Sequence, residues 1–187
     1  MKTKIKSIVT MVFALSASFM IADELLYNPT FTALQPSEQM QGVFEKSSIK
    51  FSGKTFPRFW TLSSKKTEAD NEVEFDTKLT FKNADQMFFA IRNYRITLDK
   101  FQPDKDYRAE LLCSGEGSVT FGFYRYGEKH KFIGNTVVET TKLQPQDKLI
   151  VFTFSKTVIP EGTQEVAPYF LLKGDMSISG ASLKPAL

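Results

Sequence analysis

The chain has 187 residues, with 24 Lys+Arg, 21 Asp+Glu, one cysteine and one histidine. Three of the cations, Lys2, Lys4 and Lys6, fall within residues 1–22, which hold no acid, so the remainder carries 21 charges of each sign. That balance leaves no cation surplus to displace counterions from phosphates and excludes a nucleic-acid partner. Cys113 has no partner for an internal disulfide. One histidine with one cysteine supports neither a zinc pattern nor a Ser-His-Asp set.

Residues 1–22 read as a secretory signal. A lysine-rich start is followed by an apolar stretch from Ile8 to Leu15 and small residues up to a cut after Ala22. The apolar run is too short and too interrupted by Ser and Thr to span a bilayer, and no cysteine near the cut offers a lipid anchor. Residues 23–187 are expected to form one β-sandwich domain, secreted or periplasmic/extracellular, long enough to bury a core without staples.

Beyond the signal, the pattern is strand after strand. Polar stretches at 34–42 and 64–70 read as loops with at most a helical turn. Runs at 51–62, 72–81, 86–91, 94–99, 107–113, 118–126, 148–155, 167–174 and 176–183 are rich in β-branched and aromatic residues. Many alternate with period two. Tyr94, Ile96 and Leu98 oppose Arg95, Thr97 and Asp99; Val119, Phe121 and Phe123 oppose Thr120, Gly122 and Tyr124; Ile150, Phe152 and Phe154 oppose Val151, Thr153 and Ser155. Turn signals separate the runs at 103–106, 114–117, 126–129, 145–148, 160–162 and 173–175, where Pro, Gly or Asp suit turn geometry. These features predict an all-β fold, a two-sheet antiparallel β-sandwich of jelly-roll type.

The chemistry-bearing residues point to binding rather than catalysis. Cys113 alternates with Ala109 and Leu111 and reads as a buried, inert thiol. Glu72, Glu74 and Asp76 share one strand face against Val73 and Phe75, the pattern of a solvated face rather than a glycosidase pair. Gly115 and Gly117 read as hairpin-turn glycines, and Met87-Phe88-Phe89 as a strand buried on both sides. Flat aromatic rings with directed polar groups beside them suit sugars. The candidates are Trp60, Tyr124 and Tyr126, with polar contacts from Arg92, Asn93 and Arg125. Gly122, lacking a side chain, is expected to leave a shallow groove beside Tyr124. The opposing reading places Trp60 at the sandwich edge and the tyrosines as cover for a sheet face, with 18 phenylalanines against one tryptophan acting as core filler.

An ordered set of features resembles the CenC-type carbohydrate-binding modules, which are galactose-binding-like jelly rolls. Leu25-Leu26-Tyr27-Asn28-Pro29-Thr30-Phe31 matches their opening segment, and Trp60 follows at the usual remove. Ile96-Thr97-Leu98 leads through Pro103-Asp104-Lys105-Asp106 to Tyr107, and Ile178-Ser179-Gly180-Ala181-Ser182-Leu183 closes on a buried leucine. The resemblance implies a carbohydrate partner, possessed by a domain without catalytic residues. It also implies a structural calcium ion held by acids after the opening Phe and near the last strand. Thr32, Ser179 and Gly180 stand there without a carboxylate, so no cofactor is expected; Asp23, Glu24 and Asp175 are the acids that would have to substitute. The alternative expectation is a structural or protein-interaction β-sandwich of the cell envelope with no glycan ligand.

Overall fold

The computed structural model describes residues 24–26, 29–64, 71–91 and 95–186. The expected secretory signal at residues 1–22, Tyr27-Asn28 and Arg92-Asn93-Tyr94 therefore lie outside the described residues. The chain forms β1 (Leu34–Pro36), a short α1 (Gln41–Lys46), β2 (Ile49–Ser52), β3 (Thr55–Pro57), β4 (Trp60–Ser64), β5 (Asn71–Phe75), β6 (Leu79–Ile91), β7 (Ile96–Thr97), β8 (Asp106–Tyr126), β9 (Phe132–Leu143), β10 (Leu149–Ser155) and β11 (Glu165–Pro185). The segment expected as a loop at 34–42 holds β1, a 3-10 turn and the start of α1. No helix among the described residues is long and apolar enough to cross a membrane.

The architecture is a β-sandwich whose three long strands serve both layers. In the first layer, β9 pairs with the second half of β8, which pairs with the first half of β11, then the end of β6, then β4. In the second, β10 pairs with the first half of β8, followed by the second half of β11, the start of β6, β5 and β2. All these pairs are antiparallel except β2–β5, which is parallel. The faces pack through aromatic rings: Phe121 stacks on Phe152 across the layers at 5.6 Å, and Phe123 meets Phe154 edge-on at 5.3 Å.

Period-two patterning explains which residues are inside. Val119, Phe121 and Phe123 are buried on β8, as are Ile150, Phe152 and Phe154 on β10, in a single contiguous core. On β5, Val73 and Phe75 are buried while Glu72 and Glu74 face solvent. The glycine runs at 114–117 and 173–175 do not reverse the chain. Each lies inside a 21-residue strand, β8 or β11, at the point where that strand passes from one layer to the other. Gly117 and Gly174 sit directly opposite one another, with φ of 140° and 108°. They provide the sharp bend, a role with the same residue preference as a turn.

The corner before β8 is fixed by one hydroxyl. Tyr107 is buried; its hydroxyl accepts the Gln102 N–H at 2.6 Å and donates to the Lys100 carbonyl at 3.2 Å, while its ring packs on Phe101 and Phe154. Tyr107→Phe keeps the packing and strands both backbone groups. It is expected to cost about 1–3 kcal/mol, read as a lower urea midpoint with an unchanged denaturant slope.

Candidate functional site

The outer face of the first layer carries a second, smaller apolar cluster, separate from the core. Phe88 and Ala90 of β6 and Tyr169 of β11 are buried in it, with Tyr124 of β8 and Leu171 of β11 packed alongside. Tyr169 lies opposite Ala90 on one side and Gly122 on the other, and these two small residues give its ring room to lie across the sheet. Its ring is 5.4 Å from Phe88 and 4.6 Å from Tyr124. Its hydroxyl is hydrogen-bonded to the Asn135 side chain on β9; burial nevertheless holds its pKa above the ordinary value. Burial, with Tyr169 and Tyr126 adding to it, also pushes the Tyr124 hydroxyl up, so both phenols stay neutral donors at physiological pH.

The cluster opens toward solvent at one end. Phe132, the first residue of β9, is 56% exposed and meets Tyr124 at 6.3 Å and Tyr126 at 5.9 Å, both edge-on. Val137, opposite Gly122 on the same face, is also exposed. The rings therefore run from a covered end, Phe88 and Tyr169, to an open one, Phe132.

A polar group closes the open end. Glu165, opposite Tyr126, is a half-buried carboxylate that accepts from His130 Nδ1 at 2.7 Å and pairs with Arg95 Nη1 at 3.6 Å. The Arg95 guanidinium also lies over the Tyr126 ring, 4.0 Å from its centroid. One face of that ring is thus occupied by a cation, a favourable contact. His130 reaches Glu165 from a 3-10 turn in which Lys129 and His130 are successively left-handed, at φ 54° and 59°. With Nδ1 committed to the carboxylate, its other ring nitrogen remains at an exposed position to meet a hydroxyl.

The sequence-predicted site residues divide. Tyr124 and Tyr126 come together through Phe132. Trp60 does not join them: it is 1% exposed, stacked on Phe89 at 4.2 Å with Phe31 edge-on at 5.4 Å, so its ring faces the core rather than a ligand. Arg125 alternates with the tyrosines and turns to the other side of β8, where its guanidinium lies against Gly134; its buried Nε has no hydrogen-bond partner among the described residues. Arg92 and Asn93 lie outside the described residues. The groove expected over Gly122 is filled, because a Cβ there would lie 2.6 Å from the Tyr169 hydroxyl. Phe132, Tyr169, Arg95 and Glu165 were not singled out in the sequence. Phe132 was hidden among the many core phenylalanines, and the other three gain meaning only through strand pairing.

The opening segment and the last strand meet as the resemblance implies: Ala181 N–H donates to the Pro29 carbonyl at 2.8 Å. The side chains there do not fit calcium. The Thr32 hydroxyl is bonded to that of Thr30, Ser179 is directed to the Leu112 carbonyl, and Gly180 has no side chain. Glu24 instead accepts the Leu26 and Leu183 N–H groups, both at 2.8 Å, with burial raising its pKa, and Asp175 accepts the Asn83 N–H. These acids tie backbone to backbone. Asp23 is outside the described residues, among which no group of three or more His, Cys, Asp and Glu lies together. Cys113 is buried, and desolvation pushes its thiol up to about 11.

No protein-family profile matches the chain, and no curated protein matches it in sequence. Among solved structures it is similar to a family 4 carbohydrate-binding module, at 11% identity over 86% of this chain and 99% of that one, with a TM-score of 0.47. It is also similar to the CBM22-1 xylan-binding domain of Paenibacillus barcinonensis Xyn10C, at 9% identity over 68% and 86% of the two chains, with a TM-score of 0.43. A third similarity is to the arabinose-bound α-L-arabinofuranosidase MgGH51, at 14% identity over 87% of this chain, with a TM-score of 0.47; the chain spans 26% of that enzyme's length.

Proposed function

We propose that this chain is an exported, non-catalytic carbohydrate-binding domain related to the CenC-type modules, and that its glycan lies along the open end of the outer aromatic strip. The observation that carries the reading is the Phe132 ring, exposed and held edge-on between Tyr124 and Tyr126. A pyranose presents an apolar C–H face to such a ring, and its hydroxyls then reach His130, Arg95 and Asn135. The balanced charge of residues 23–187 and the rarity of histidine and cysteine accord with recognition rather than turnover. The reading of residues 1–22 as a secretory signal supports a partner outside the cytoplasm.

The test is binding to a panel of soluble and insoluble polysaccharides by affinity electrophoresis and pull-down. Phe132→Ala is expected to weaken the best ligand by about 30-fold, the scale of an aromatic anchor, with the melting temperature unchanged because the ring is mostly solvated. Indifference to every polysaccharide, or undiminished affinity in Phe132→Ala, sinks the reading.

One observation favours a second reading, an interaction module without a glycan. Among the described residues β9 pairs only with β8, and it exposes Phe132, Ile133 and Val137 along that outer edge. A strand edge with apolar side chains invites another strand. Stable self-association by light scattering, together with glycan indifference, would favour this reading over the first.

A further inference from the structure

On the other side of the sandwich, β2 forms the far edge of the second layer, and α1 packs beside it. Between them lies a cavity of about 280 Å³. Its apolar floor is Phe44, Ile49 and Phe51, with the two phenyl rings stacked at 4.6 Å. Its rim is Glu38, Gln41 and Glu45, which share one face of the helical segment by their spacing of three and four residues. The Ser37 hydroxyl donates to the Gly53 carbonyl at 2.8 Å and ties the rim to the turn after β2. Eight residues line the cavity, two of them are acids and none is basic.

We propose that this cavity is a ligand site for a protonated amine on a short apolar stem. The charge sign decides the class. Glu45 accepts from Gln41 Nε2 at 2.9 Å, and both residues line the cavity. Glu38 has no ion-pair partner among the described residues. Two carboxylates repel an anionic ligand, and a neutral one gains nothing from them. An ammonium group gains from both, and from the face of Phe51, which is only partly buried. The stem lies against the partly buried Phe51, since Phe44 and Ile49 are only 5% and 6% exposed. The volume suits one side chain or one sugar ring rather than a polymer. A lysine side chain and a non-acetylated amino sugar present the same chemistry. The site is independent of the glycan strip on the first layer.

The test uses the full chain and two matched pairs: Nα-acetyl-lysine methylamide against its Nε-acetylated twin, and glucosamine against N-acetylglucosamine, each titrated by protein-observed NMR. At least one free amine is expected to bind with a dissociation constant of about 1 mM, the range open to so small a ligand. Its acetylated twin is expected to bind about tenfold more weakly, the effect of deleting a cation near a carboxylate pair and a ring. Which amine binds identifies the source, protein or sugar. The double variant Glu38→Gln, Glu45→Gln alters only exposed groups and is expected to erase the preference without shifting the melting temperature. Phe132→Ala is expected to leave amine binding unchanged, so failure here and failure of the glycan reading are separable. Failure of both amines, equal binding by the acetylated twins, or an unaltered preference in the double variant overturns the proposal.

Discussion

Trp60→Ala is expected to cost about 3–5 kcal/mol of folding stability, the range for deleting a fully buried large aromatic. The ring fills the space between Phe89, against which it stacks, and Phe31, which meets it edge-on. Its removal leaves a void that those rigid phenyl rings cannot close. Against a typical domain stability of about 5–15 kcal/mol, such a loss brings the protein close to unfolding at physiological temperature. Trp60→Phe retains a ring against Phe89 and should lose far less. Chemical denaturation followed by circular dichroism checks both variants, because the mutation removes the single tryptophan and with it the fluorescence signal. The same burial has a functional corollary. Trp60→Phe should leave glycan affinity unaltered, and a change in affinity at constant stability would return Trp60 to the site.

Gly117→Ala is expected to destabilise by about 3 kcal/mol or more, combining backbone strain with overpacking. A Cβ at this position would stand 2.0 Å from the Lys173 carbonyl oxygen and 2.9 Å from its carbon. Backbone on a paired strand cannot retreat as a flexible side chain would. Gly162 supplies the control: its φ is 81°, yet a Cβ there meets nothing within 4 Å. Gly162→Ala should therefore cost only about 1–2 kcal/mol, the left-handed penalty alone. Thermal unfolding of both variants separates conformational strain from steric conflict, and equal losses would refute the crossing geometry assigned to Gly117 and Gly174.

The strand character of the chain was legible because alternation is a local property. Phe121 and Phe123, or Phe152 and Phe154, point inward wherever one sheet face is dry, and neighbours along the chain suffice to show it. The glycine runs at 114–117 and 173–175 were legible as special backbone but not as bends within continuous strands. A turn and a sharp kink both require φ values that glycine alone adopts cheaply. Whether the chain reverses or continues depends on what pairs with the next strand. Trp60 was ambiguous for another reason: a large amphipathic ring serves a core and a sugar equally well, and the presence of Phe31 and Phe89 around it is a long-range fact.

The candidate site shows the same division. The sequence identified Tyr124 and Tyr126 as sharing a face, and it separated both from the core-facing Phe121 and Phe123. It could not join them to Phe132, because irregular pairing between β8 and β9 on either side of Gly122–Arg125 breaks the simple alternation of β9. Nor could it join His130 to Glu165 or Arg95 to Tyr126, contacts created when β11 pairs with β8 on one side and with β7 on the other. Composition and period two determined by themselves that the chain is a charge-balanced stack of strands with an inner and an outer set of residues. Which outer residues become neighbours was decided only by strand pairing, since side chains distant in sequence meet only when hydrogen-bonded register sets them side by side.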